Sequence, residues 1–388
     1  MITKIALFHP WIKSKGGAER VVLEILKKSK DKRYKIDVYT WVYDENNTFE
    51  EFKKFKINVI APKFARKFSR HYILRGLFFP IGLFSKIPVK NYNIFLISTS
   101  GLAELIALRN YKKRKTFAYV HTILRASYKE DVKWNLKNRY RNPIKKLVYI
   151  TAVKIYKILE KMSWKKIDIA IFNSELSLER AKNHNLIKNK KIYVIHPPIK
   201  NLERRSIKTK KENYFFYVSR FNPIKRQDIL IRAWDKFVKE NLNYKLILAG
   251  GIEDKKYFEH LCKMAKKTKN VEIKINLNDK DIKKLYSNCL AVIFIPFMED
   301  FGIVPFEALS MKKPLIVTNK GGYMKVIKDL PQVIQIEERG DREEMVDEIY
   351  KCLKQFLGLK IKFKKINFNH LNEENFRKKL FDVLEGKK

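Results

Sequence analysis

The sequence predicts an α/β protein made of two doubly wound, parallel sheets, and three observations support that. Apolar β-rich runs recur along the 388 residues, each followed by a stretch of helical pattern. The runs are nearly continuous in apolar character, as in strands buried on both faces, rather than alternating. The chain is also longer than one hydrophobic core usually organises, so two domains of roughly 200 residues are expected.

The first series of strands reads "KIALFHPW", "KIDVYTWVY", "NIFLISTS", "TFAYVHT", "DIAIFNS" and "KIYVIHPP". After Pro197 and Pro198 comes "IKNLERRSIKTKKEN", polar, basic and without periodicity, where a domain boundary is expected. The alternation then restarts with "YFFYVSR", "KLILAGG", "VEIKIN", "LAVIFIPF" and "KPLIVTN", with helical stretches such as "RQDILIRAWDKFVKE" between them. The predicted domains are residues 1–198 and 199–367, followed by a terminal segment, 368–388. That segment carries an amphipathic helix with Phe376, Leu380, Phe381 and Leu384 on one stripe, which must dock somewhere. In such sheets ligands sit beyond the carboxyl ends of the strands, and two facing domains of this kind would share an active site between them.

Charge narrows the partners. Lys and Arg number 84 against 41 Asp and Glu, a net charge of +43, far more than solubility needs. Nucleic acid, an acidic membrane surface and phosphorylated small molecules all fit, and part of the Lys excess fits the habit of a heat-adapted organism. No helix-turn-helix, RRM or zinc pattern is present, so nucleic acid is not expected. Cys262, Cys289 and Cys352 have no CxxC spacing, which suits a reduced, metal-free, cytoplasmic protein. "MITKIALFHPW" runs straight into a strand and no stretch reaches about 18 apolar residues, so neither secretion nor a membrane span is expected. No Gly-x-Gly-x-x-Gly turn follows a strand, which speaks against an NAD oxidoreductase.

The stretch "EDFGIVPFE" holds the sharpest signal. If "LAVIFIPF" is a strand and "VPFEALSMKK" the following helix, Glu299 lies at the ligand edge and Glu307 in the first helical turns. The backbone of Phe301, Gly302 and Ile303 would offer N–H groups at the helix start, where the dipole favours an anion. Gly302 would let a ligand approach closely. Carboxylates accept well from paired sugar or ribose hydroxyls, so two of them flanking an anion site suit a nucleotide sugar. The plainer alternative is a loop acid and a dipole-complementing helix acid.

"EDFGIVPFEAL" resembles the E-x7-E motif of retaining glycosyltransferases of family 4, and several other stretches agree in order: "KGGAERVVLEIL", "YVHTILR", "FNSELSLER", "IHPPI", "VSRFNPIKRQDILIRAW" and "FNHLNEENFRKKLFDVL". The resemblance implies the GT-B fold, with an acceptor-binding first domain, a nucleotide-sugar-binding second one and a crossover helix in 368–388 that packs back on the first. It implies that Arg220 and Lys225 neutralise a diphosphate leaving group, with Arg226 a less certain neighbour, and that Glu299 orients the donor sugar. It implies that His121 contacts the donor hexose near the reacting carbon and that Arg125 follows it into the acceptor or phosphate region; His9 is a weaker acceptor-side candidate. Gly16 and Gly17 precede a helix and could face a phosphate or sugar, while Glu19 and Arg20 would serve the helix surface and His196 the structure. No Asp-x-Asp motif stands where a GT-A enzyme would need one and no glycosidase-like carboxylate pair bridges the expected cleft, so a metal-independent reaction without cofactor is expected; the resemblance implies retention of configuration.

"EDFGIVP" with "YVHT" and a later Arg is similar to the mannosyltransferase branch that extends lipid-linked glycans from GDP-mannose. Three positions depart from that pattern: Ile123 for Pro, Lys325 for an acid and Asn276 for Gly. Transfer from a UDP-sugar, a nucleotide-sugar epimerase and a non-catalytic sugar-nucleotide or polyanion binder are the alternatives. The apolar run "ILRGLFFPIGLF", bracketed by Arg66, Lys67, Arg70 and Lys86, suits insertion at an anionic membrane surface. So does Lys129 to Lys166, with 12 basic against three acidic residues interleaved with Trp134, Tyr140, Tyr149, Tyr156 and Trp164. A core helix is the alternative for the apolar run. A lipid-linked or glycan acceptor, met peripherally on the inner face of the cell membrane, follows from these readings.

Overall fold

The computed structural model describes residues 2–62, 81, 83–113, 115–127, 132–133, 135–136, 140, 142–199, 212–364 and 366–387. The chain forms two compact units: Met1–Pro198 with Glu373–Lys388, and Ile199–Asn372.

The first unit carries a parallel seven-stranded sheet, built from β1 (Thr3–Phe8), β3 (Tyr34–Thr40), β5 (Ile57–Val59), β6 (Ile94–Ser100), β7 (Thr116–Thr122), β8 (Ile169–Phe172) and β9 (Lys191–Val194) in the order β5-β3-β1-β6-β7-β8-β9. A short parallel pair, β2 (Trp11–Ile12) with β4 (Val42–Tyr43), stands apart. Two-residue partners in different chain segments give no periodicity, which is why sequence patterning missed them. Along β1 the alternation of faces divides the core in two. Ala6 and Phe8 pack with Trp41, Phe95 and Val120, while Ile5 and Leu7 pack with Val22, Ile25 and Tyr119.

The second layer belongs to helix α1 (Gly17–Lys27) and to the chain's last helix, whose Phe376, Leu380, Phe381, Val383 and Leu384 are buried in it. The ring of Tyr34 meets Phe381 edge-on, with centroids 4.8 Å apart. On the first layer's side, helix α2 (Pro143–Trp164) starts with Asn142, whose side chain accepts from the N–H groups of Ile144 and Lys145. The aromatic expectation for this region is corrected: Tyr156 and Trp164 are buried at 3% and 2% exposure, and Tyr140 stacks on Tyr149. Trp134, Arg66, Lys67, Arg70 and most of "ILRGLFFPIGLF" lie outside the described residues; of that run, Ile81 packs on the core and Phe84 is exposed. Helix α3 (Glu175–Asn183) follows β8 with a Ser174–Ser177 capping box.

The second unit orders β10 (Tyr214–Val218), β11 (Lys245–Ala249), β12 (Val271–Lys274), β13 (Ala291–Phe294), β14 (Leu315–Thr318) and β15 (Val333–Ile336) as β12-β11-β10-β13-β14-β15, all parallel. Counted within the unit this is 3-2-1-4-5-6, the strand order of an open dinucleotide-binding sheet. Its helices are α4 (Gln227–Val238), α5 (Lys255–Lys267), α6 (Asp279–Asn288), α7 (Val304–Ser310), α8 (Met324–Ile327) and α9 (Arg342–Gly358), and α10 (Glu373–Leu384) is the terminal helix placed above in the first unit. In both sheets the strand order reverses once, between β1 and β6 and between β10 and β13, and the predicted site residues gather at the carboxyl ends of strands around those reversals.

Candidate active site

In the second unit the loop after β10 and the loop after β13 are tied together. The Phe297 N–H donates to the Ile224 carbonyl at 2.9 Å, and the Tyr217 hydroxyl to that of Lys225. Asn222 caps the tight turn Pro223–Lys225, accepting from Ile224 N–H at 3.1 Å. These contacts aim Lys225 at Glu299, with Nζ 2.6 Å from Oε2; the two side chains are 14% and 25% exposed. Glu299 is held from the other side through its backbone, since its carbonyl accepts from Gly322 N–H at 2.9 Å.

Arg220 is 43% exposed and lies 3.3 Å from Glu253. Arg226 takes a left-handed conformation (φ 60°) at the start of α4, donates to both oxygens of Glu338 at 2.9 and 2.7 Å, and covers the Phe297 ring. It is a strut between loops.

Around the second carboxylate, the helix α7 begins at Val304 and has only seven residues, so the dipole invoked from sequence is that of two turns. The Phe301 ring belongs to the core, stacked on Phe306 at 5.0 Å, which leaves its backbone as the part that a ligand could meet. Ile303 is already helical, and its carbonyl accepts from Phe306 and Glu307 N–H. Gly302 has φ 77°, and a Cβ there would come within 2.8 Å of the Tyr323 ring. Its lack of a side chain is thus demanded first by the protein's own packing. Glu307 Oε2 accepts from the buried Tyr286 hydroxyl at 2.8 Å, which fixes the carboxylate's rotation. Burial, and after it the charge of Glu307, pushes the Tyr286 phenol well above its usual range, so it remains a donor.

In the first unit, Gly16 caps α1 and Gly17 opens it. Glu19 does not serve the helix surface as expected. It is buried, accepts from the Ser14 hydroxyl at 2.5 Å, and sits where a Gly16 Cβ would be, 2.3 Å from its Oε2. The chain's own carboxylate therefore lies over the helix start, in the space that a Gly16 side chain would enter. Arg20 lies over the Phe49 ring.

The ends of β1, β6 and β7 bring together three side chains. His9 Nδ1 lies 3.0 Å from Ser98 Oγ and 3.3 Å from the Ser98 carbonyl, and Ser98 Oγ lies 2.8 Å from His121 Nε2. The Ser98 hydroxyl can donate to one ring and accept from the other, so it links the two imidazoles. Burial lowers the His9 pKa to about 4 and that of His121 well below its usual value, with His9 adding to the latter, so both rings are neutral. The Asn173 amide holds the His121 carbonyl at 2.8 Å, and His196 Nδ1 meets the Asn173 carbonyl at 3.1 Å, a structural position. Arg125 lies in the single turn directly after β7. Ser98 was missed from sequence; its signal was a hydroxyl at the carboxyl end of the strand beside the order reversal.

Among the described residues no three or more His, Cys, Asp or Glu side chains cluster as metal ligands. A pocket of about 520 Å³ in the second unit, lined by Leu309, Lys312, Gln332 and Phe368, shares no residue with the predicted site.

Two Rossmann-like parallel sheets in one chain, each carrying candidate residues at its strand-order reversal, define the GT-B class of glycosyltransferase fold. Solved structures of that class overlay the whole chain. Anabaena HepE in complex with UDP and glucose matches with a TM-score of 0.66 at 16% identity, covering 99% of this chain and 100% of that one. WaaG, a glycosyltransferase involved in lipopolysaccharide biosynthesis, matches with a TM-score of 0.63 at 16% identity, covering 99% and 98%. The family model for glycosyltransferase family 4 matches residues 15–201, and that for glycosyl transferases group 1 matches 199–364. The chain belongs to glycosyltransferase family 4. It is similar to the alpha-1,3/1,6-mannosyltransferase ALG2 of Rhizomucor pusillus, 23% identical over 398 residues (89% of this chain, 84% of that one), and of Saccharomyces cerevisiae, 23% identical over 377 residues (84% and 71%). An uncharacterised glycosyltransferase of Methanocaldococcus jannaschii is 34% identical over 126 residues, 32% of each chain.

Proposed function

We propose that this glycosyltransferase is a mannosyltransferase that moves mannose from GDP-mannose, with retention and without a metal or other cofactor, to a lipid-linked or glycan acceptor at the cytosolic face of a membrane. The observation that carries the reading is the Lys225–Glu299 pair at the strand-order reversal of the second sheet. A cation held there can take up the charge of a leaving diphosphate, while the carboxylate beside it accepts from sugar hydroxyls. Arg220, more exposed, supplies a second cation for the diphosphate, and Glu307, oriented by Tyr286, a second acceptor for hydroxyls. His121 is neutral and would meet a sugar hydroxyl without adding a competing positive charge. His9 and Arg125 belong to the acceptor side, and Gly16 and Gly17 to the donor side, in the same reading.

Mannose is favoured by the likeness to ALG2 mannosyltransferases along most of the chain. No helix of the described residues is long and apolar enough to cross a membrane, so contact with one is proposed as peripheral. The test is a thermal-shift panel of GDP-mannose, UDP-glucose, UDP-N-acetylglucosamine and free nucleotides with polyanion controls, followed by transfer of labelled sugar to a polyprenyl-linked acceptor. Selective stabilisation by GDP-mannose and labelled lipid product are expected. Stabilisation by a UDP-sugar instead would reassign the donor. Stabilisation by polyanions in general, with no transfer, would overturn the enzymatic reading.

A further inference from the structure

The helix α2 shows solvent a face that a helix of a compact domain normally hides. Ile144, Leu147, Val148, Ile155, Ile158 and Met162 are 73%, 66%, 63%, 47%, 61% and 48% exposed. At about 100° per residue, Ile144, Val148, Ile155 and Met162 fall within about 40° of one another, with Leu147 and Ile158 alongside, a stripe about 27 Å long. The opposite side of the same helix is its anchor, where Tyr156, Glu160, Ser163 and Trp164 are buried. Tyr156 donates to Glu160 at 3.1 Å and also to Glu104, which accepts from Thr99 at 2.6 Å, so the helix is fastened to the end of β6 by its buried face.

Charge identifies what the exposed face meets. Lys145, Lys146, Lys154 and Lys161 are exposed, with Lys165 and Lys166 just beyond, and Glu160, the helix's sole acid, is buried. The exposed part of α2 is therefore apolar and cationic with no carboxylate. A second copy of a chain carrying +43 would bring like charge against it, whereas an anionic bilayer offers hydrocarbon to the stripe and phosphates to the lysines.

We infer that α2 is a membrane-surface helix, with the Ile144–Met162 stripe entering the anionic lipid interface and the flanking lysines meeting lipid phosphates. This deepens the membrane part of the proposed function and names aliphatic side chains, rather than the aromatic ones suggested by sequence, as the inserted groups. The test uses the full chain and vesicles of phosphatidylcholine with about one-third phosphatidylglycerol, read by co-sedimentation. Leu147→Asp/Ile158→Asp should lower partitioning by about tenfold or more at any salt, because it removes insertion. Lys154→Gln/Lys161→Gln should lower it most at low salt. Both pairs are surface changes, and retained circular dichroism and nucleotide-sugar stabilisation check the fold. Nucleotide-sugar binding does not depend on vesicles, so failure of the two readings can be told apart. Wild-type partitioning by the aspartate variant would overturn the inference. So would a concentration-dependent dimer, formed without lipid and abolished by the same substitutions, which would make the stripe a self-association face.

Discussion

Removing Lys225 tests the site most directly, because its partner is known. Lys225 Nζ lies 2.6 Å from Glu299 Oε2, with both side chains largely but not fully buried. At an effective dielectric constant of about 20 the attraction at 4 Å is about 4 kcal/mol, offset by desolvation of both groups. Exposed pairs contribute about 0–1 kcal/mol and breaking buried ones costs about 3–5, so Lys225→Ala should cost about 2 kcal/mol of stability. Glu299→Ala should cost a similar amount, and the double variant less than the sum, with a coupling of about 1–2 kcal/mol in urea denaturation. Transfer should behave differently. Losing one well-placed electrostatic group costs about 3 kcal/mol of barrier, at least about two orders of magnitude in rate, in either single variant. The assay is initial-rate transfer of labelled sugar under conditions where each variant remains folded. Near-normal turnover by folded Lys225→Ala would refute the leaving-group role; a coupling below about 0.5 kcal/mol would refute the energetic reading of the pair.

Further outcomes follow from other contacts. Gly302→Ala meets both a positive φ and a Cβ contact of 2.8 Å with Tyr323, and should cost about 2–3 kcal/mol in chemical denaturation. Tyr286→Phe removes the 2.8 Å bond to Glu307 and should cost about 1–2 kcal/mol of stability while raising the donor KM more than it lowers kcat. Ser98→Ala should lower kcat about tenfold through a misoriented His121, with recovery in Ser98→Thr; equal activity in all three would remove Ser98 from the mechanism. The pKa of buried His9 falls from 6.5 to about 4, so the unfolded chain binds the extra proton between those values. That contribution to stability is complete above about pH 6.5 and lost as pH falls towards 4, a slope that His9→Asn should flatten. Glu160 behaves oppositely: burial first, and then the Glu104 charge, raises its pKa from 4.5 to about 8. Its contribution is complete below about pH 4.5 and lost as pH rises towards 8, so Glu160→Gln should gain on the wild type across that window.

Much of the architecture was legible because it rests on long apolar runs. β6, β7 and β13 are so hydrophobic that no other element fits them, and Pro197–Pro198 marked the chain's passage between units. β5 and β15 were missed because each interrupts its short apolar run with an amide side chain, Asn58 and Gln335. At the site, the types and positions of Lys225, Glu299 and Glu307 could be read, since strand ends follow from strand assignment. Their partners could not. Glu19 looked like a helix-surface acid until the missing Gly16 side chain gave its carboxylate a place, and Tyr286, 21 residues before Glu307, becomes its neighbour only through the packing of α6 on the sheet. The aromatic residues of α2 misled for a related reason: composition shows that a helix is amphipathic, and only packing decides which of two non-polar faces turns inward.

The terminal helix has a consequence for how the molecule is made. The first unit draws on both ends of the chain, Met1–Pro198 and Glu373–Lys388, with the whole of the second unit coded between them. During synthesis the face formed by Val21, Val22 and Ile25 emerges early, and Phe376, Leu380 and Phe381, which cover it, follow only after the whole of the second unit. The second unit can finish its sheet first, although its sequence comes later, and the first remains open until the segment from residue 373 has been made. A chain ending just before residue 373 would carry a complete second unit and a first unit with an uncovered apolar face, a state for chaperones to recognise.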